Sequence, residues 1–92
     1  MNEDSKDTGL ITVLLQRFKS QNLPKLLALK DKVDLGEPLG DFDIKFLKEV
    51  AINFEQVKPL LSRHPEFEPL VTKAIQLYTY ITESAIDNEQ TS

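Results

Sequence analysis

The sequence predicts an all-α protein: a compact antiparallel bundle of three to four amphipathic helices, with its 92 residues forming a single domain. Three observations predict it. Leu, Ile, Val and Phe supply roughly a third of the chain and recur at three- and four-residue steps, which gathers side chains on one face of a helix. No stretch of useful length alternates apolar and polar residues as a half-buried strand would. The glycines and prolines punctuate the apolar stripes at short connections, and short connections make consecutive helices antiparallel neighbours.

Residues 1–8 are polar, acidic and without period, and are expected to form a flexible arm. Thr8 is the expected cap of the first helix, in which Leu10, Ile11, Leu14, Leu15 and Phe18 share a face. That helix is expected to end near Gln21. Asn22 suits a cap, and Pro24 suits the first turn of a new helix, where its missing amide costs nothing. Leu23, Leu26, Leu27, Leu29 and Val33 form the second stripe, which Gly36 can close by taking the left-handed conformation.

Residues 36–40, Gly-Glu-Pro-Leu-Gly, read as a loop. Either Asp41 or Asp43 can cap the third helix; with Asp43 as the cap, Phe42 and Leu47 would form a hydrophobic staple. Phe42, Phe46, Leu47, Val50, Phe54, Val57 and Leu61 continue one stripe. Pro59 is expected to stop or kink the helix near Val57 and Lys58, leaving a separate turn over 60–63. His64, Pro65 and Pro69 mark the next connection. The last helix is expected over 67–87, with Phe67, Leu70, Val71, Ala74, Ile75, Leu77, Tyr78, Ile81, Ala85 and Ile86 inward. Residues 88–92 read as a flexible polar tail.

Composition removes several kinds of chemistry. Without cysteine there is no disulfide, thiolate zinc site or cysteine nucleophile, and one histidine cannot build a multi-histidine metal site. A net charge of −4 argues against overall affinity for nucleic acid or an anionic membrane. No apolar run approaches the roughly 20 residues of a membrane span, and the acidic start is unlike a signal peptide, so a cytoplasmic protein is expected. A chain this small buries only about 60–65% of its unfolded surface, which makes association a natural route to further stability.

Three features invite a chemical reading, each with a plainer one beside it. The acids of residues 31–43 resemble a calcium loop, but counting from Asp31 puts Val33, Leu35 and Phe42 at ligand positions. Helix caps and a solvated turn explain these carboxylates better. His64 could act as a base, yet it stands before a proline in a connection, where a capping role suffices. Arg17, Lys19, Lys25, Lys30 and Lys32 form a basic stripe that could face an anion, but a solvated helix face explains it more simply. A DNA-reading third helix is disfavoured because Asp41 and Asp43 would face the phosphates. No catalytic residue, cofactor or metal ligand is assigned.

The most informative residues are apolar or uncharged ones outside the stripes. Ile52 falls about 160° from Phe54 around its helix, Ile44 lies at the margin, and Tyr80 lies opposite the inner face of the last helix. Gln76 and Thr79 share that weakly charged outer face, which suits contact with another protein. The expected function is therefore a non-catalytic interaction module. Ile44, Ile52, Gln76, Thr79 and Tyr80 are its candidate surface, and the partner is another protein or a second copy in a homodimer. The alternative is a small-ligand carrier or enzyme with His64, Tyr78 or Glu83 in the bundle interior. Weak polyanion or nucleic-acid binding by the basic stripe is a third possibility.

Overall fold

The computed structural model describes the backbone of residues 3–91 and the side chains of residues 8–90. All-α character is borne out: helix accounts for nearly all of this chain, and the described residues contain no strand. The helical segments are α1 (Glu3–Arg17), α2 (Leu23–Asp34), α3 (Asp41–Arg63) and α4 (Glu68–Thr91), with a π-helical turn at Phe18–Asn22 and a 3₁₀ turn at Pro65–Phe67. The molecule measures 55 Å by 19 Å by 16 Å, so it is elongated rather than compact. The first helical run, from residue 3 to residue 34, accounts for most of that length at about 1.5 Å per residue.

The expected break between the first two helices is absent. Backbone angles stay helical through the junction, with Asn22 at φ −93°, ψ −41° and Leu23 at φ −60°, ψ −44°; the Leu23 amide reaches back five residues to the Phe18 carbonyl. Asn22 makes no capping bond with its side chain. Pro24 cannot supply the amide that an uninterrupted helix would direct at the Ser20 carbonyl, and its ring would crowd that carbonyl. The wider π turn ahead of it opens the backbone, so the chain absorbs the proline without ending the helix. The helix also begins at Glu3, which places Thr8 inside it rather than at its cap.

Gly36 closes α2 as its position predicts. It has φ +83°, its amide bonds to the Val33 carbonyl at 3.0 Å, and the Glu37 amide bonds to the Lys32 carbonyl at 3.2 Å. This is the paired hydrogen-bond pattern of a Schellman motif. The cap of α3 is Gly40 rather than either aspartate. Asp43, three residues on, accepts the Gly40 amide at 3.1 Å, which is the half of a capping box that runs from N3 back to the cap; Gly40, without a side chain, cannot supply the other half. The Phe42–Leu47 staple consequently does not form, and Phe42 is 87% exposed.

Pro59 lies inside α3 and does not end it. The carbonyl that loses its helical partner belongs to Glu55, and both residues face solvent, where water can replace the missing bond. At the end of α3 the His64 amide bonds to the Leu60 and Leu61 carbonyls at 2.9 and 3.2 Å. At the other end of the chain, α4 continues past the expected stop at Asp87 through Thr91.

Two apolar clusters hold the helices together. Leu26, Leu29 and Val33 of α2 meet Leu47 and Val50 of α3 and Ile81 of α4. Ile11 of α1 meets Val57 and Leu60 of α3 and Val71 of α4. Leu60, outside the predicted stripe, is buried because α3 continues through Pro59. Leu10, Leu27, Leu70, Ile75 and Ile86, which were expected inward, are exposed.

A candidate binding groove between α1 and α4

The π turn divides the long helix into halves with different principal neighbours. Below it α1 packs on α3, and above it α2 packs on α4, while α1 and α4 make little direct contact. A groove of about 620 Å³ is lined by both of them. One wall is α1 with the start of the π turn, which contribute Thr12, Leu15 and Gln16, then Lys19. These positions follow the i, i+3, i+4, i+7 spacing of a single helix face. The other wall is α4, with Leu70, Lys73, Ala74 and Leu77 at the same spacing. Asn53, Phe54, Gln56 and Val57 of α3 form the floor.

Phe18 and Leu23 line the groove beside the π turn, and Phe67 lines it with the start of α4. The ring of Phe18 lies 5.9 Å from that of Phe54, which in turn meets Tyr78 edge-on at 5.7 Å. These contacts join the turn to both other helices, giving the groove a packed aromatic back. Arg17, Lys19 and Lys73 are its charged lining residues, and no acid lines it. Its volume falls within the range of about 300–1,000 Å³ typical of ligand sites.

The sequence-derived candidates are distributed differently. Of the basic stripe, only Arg17 and Lys19 line the groove. Lys25 stands over the Phe46 ring at 5.3 Å, Lys30 pairs with Asp34 at 2.8 Å, and Lys32 pairs with Asp43 at 2.8 Å. The stripe is therefore not one uncommitted cationic surface. Ile44, Ile52, Gln76, Thr79 and Tyr80 are all exposed, but none lines the groove. Tyr80 donates its hydroxyl to Asp34 and lies under Lys30 at 5.3 Å, which anchors its ring against α2.

His64 is only 6% exposed, with Nδ1 3.5 Å from a Glu66 oxygen, yet it is outside the groove. Tyr78 and Glu83 do not line it either, so the polar members expected for an interior ligand site are not those present. Among the described residues, no three His, Asp or Glu side chains are placed to hold a metal ion, and no helix is long and apolar enough to cross a membrane.

Sequence reasoning missed Lys73, Gln16 and the α3 floor. Pro24 was the available signal: reading it as a widened turn instead of a helix start would have kept α1 and α2 in one rod. Comparisons with protein families, curated proteins and solved structures find no significant match for this chain.

Proposed function

We propose that the chain is a non-catalytic protein-interaction module that receives a helical segment of another protein in the groove between α1 and α4. The observation that carries this reading is the pair of helix faces, Thr12–Leu15–Gln16–Lys19 and Leu70–Lys73–Ala74–Leu77, lining one apolar trough across a shared floor. In this reading the helices form an up-down-up bundle with antiparallel sequential neighbours, and the incoming segment becomes its fourth member. Docking an amphipathic helix into such a trough uses the packing that builds helical bundles. The exposed residues Ile44, Ile52 and Tyr80 are then ordinary surface positions rather than the principal contact.

The experiment is site-specific photo-crosslinking in the native cell, with benzoylphenylalanine at Gln16 or at Lys73 and, as a control outside the groove, at Lys45. Both groove positions are expected to crosslink the same polypeptide while Lys45 does not. Ala74→Trp, which fills the groove, is expected to abolish the product with the circular dichroism unchanged. Equal crosslinking from all three positions, or a product unaffected by Ala74→Trp, would sink the proposal. A product of twice the chain mass would identify the occupant as a second copy.

The second reading is a small-ligand carrier, favoured by the volume of the groove. Its polar contacts would be Arg17, Lys19 and Lys73. Crosslinks to no polypeptide at either groove position, together with a small molecule that copurifies with wild type and is lost in Ala74→Trp, would favour it.

A further inference from the structure

Resting on the groove as a helix-docking site, we infer that the segment it accepts is acidic, with carboxylates flanking a short apolar face. The argument begins with charge. Acids outnumber bases fifteen to eleven in the chain, yet the groove is lined by three bases and no acid. None of Arg17, Lys19 and Lys73 is ion-paired among the described residues, whereas Lys30, Lys32 and Lys58 each hold a carboxylate. An acidic protein has thus placed around this apolar groove three cations that make no ion pair among the described residues.

Their placement carries the inference further. Arg17 and Lys19 belong to the α1 side and Lys73 to the α4 side, so charge borders the trough from both walls. A helix lying between them would meet cations on both flanks of its inward face. Along α4 the lining runs from Leu70 to Leu77, about 10 Å at the helical rise, matching the span of apolar anchors at i, i+3 or i+4, and i+7. Arg17, Lys19 and Lys73 are exposed, so each pair with the segment contributes on the scale of a surface ion pair, and the preference comes from several acting together. The net charge of −4 opposes a long-range pull on an acidic partner. Selectivity therefore resides in the local charge contacts at the groove rather than in the field of the whole molecule.

The test uses three synthetic helices of about 14 residues, enough for four turns. They share leucine anchors and differ only in flanking residues, which are Glu, Gln or Lys. Each is titrated into the full-length ¹⁵N-labelled protein, with dodecanoate as a fourth probe. The Glu peptide is expected to move the amide signals of Leu15, Asn53 and Ala74. It should bind at least about tenfold tighter than the Lys peptide, the scale of a few partly exposed ion pairs exchanged for repulsions. Arg17→Glu combined with Lys73→Glu is expected to reverse that order without changing helicity.

Equal affinity of all three peptides at the groove would overturn the acidic preference and leave helix docking standing. If no peptide moves these signals, the docking reading fails along with it. Dodecanoate moving them where no peptide does would assign the groove to an apolar carboxylate instead.

Discussion

The side-chain amide of Asn88 donates to the Val33 carbonyl at 2.9 Å and to the Glu37 carbonyl at 3.3 Å, fastening the last turns of α4 onto the end of α2. Val33 lies in the last turn of α2, where its carbonyl also accepts the Gly36 amide, and Glu37 lies just beyond the helix, so the contact ties α4 to the capped end of α2. Asn88→Ala is expected to lower stability by about 0.5–1.5 kcal/mol, the net worth of an ordinary hydrogen-bonded contact. Urea denaturation measures it, and faster amide exchange over residues 85–90 should accompany the loss. An unchanged midpoint would show that the contact contributes nothing.

Gly36 has φ +83° and open space where a Cβ would go, so substitution there meets strain rather than collision. Gly36→Ala is expected to cost about 1–2 kcal/mol, the penalty for an L-residue in the left-handed region. Gly9, inside α1 with equally open surroundings, provides the contrast. Gly9→Ala is expected to stabilise the helix by up to about 1 kcal/mol. Thermal unfolding of the two variants should move in opposite directions.

Ile81 is 0% exposed in the cluster joining α2, α3 and α4, whereas Ile52 is 58% exposed on α3. Ile81→Ala is expected to cost about 2–5 kcal/mol and Ile52→Ala less than about 0.5 kcal/mol. Chemical denaturation that ranked the two equally would contradict the arrangement of the core.

Lys32, hydrogen-bonded to Asp43, holds the Asp43 carboxyl below its ordinary value of 3.8, and the Gly40 amide assists. A carboxyl depressed on folding contributes stability that is present above pH 3.8 and is lost as pH falls through its folded-state value. Asp43→Asn is therefore expected to be less stable than wild type near about pH 6, with the gap closing under acid. Lys32 is raised above 10.5 by the same bond, so its share disappears only as pH rises beyond that value. Urea midpoints across the acid range check the first part; a gap independent of pH would refute it.

The sequence made helix type and much of the core legible because burial here follows a helical period. Leu26, Leu29, Val33, Leu47, Val50, Val57, Val71 and Ile81 were all placed inward by spacing, and all are buried. The capping glycine at 36 was equally readable, since few residues tolerate its backbone angles. Both proline errors had one origin: a missing amide says that a bond is lost, not that the helix stops. Pro59 faces solvent, and Pro24 is relieved by a wider turn.

The groove was hidden for the same reason. Its walls come from segments more than fifty residues apart, and its existence depends on α1 and α2 taking different principal neighbours. Ile52 and Tyr80 looked like the best guides because they broke the apolar pattern. Lys73 broke no pattern, which is why its place on the groove wall had no sequence signal.

The π turn at Phe18–Asn22 also sets the rotational phase of the long rod. One residue more than a regular helical turn advances everything upstream by about 100° relative to α2. Deleting Ser20 or Gln21 there would leave the net charge and nearly every local propensity unchanged. It would nevertheless swing Leu15 and Gln16 off the groove wall and turn a different side of α1 toward α3. Five residues thus act as an angular gauge for the whole binding face, so a length change in this segment matters more than most changes of residue type.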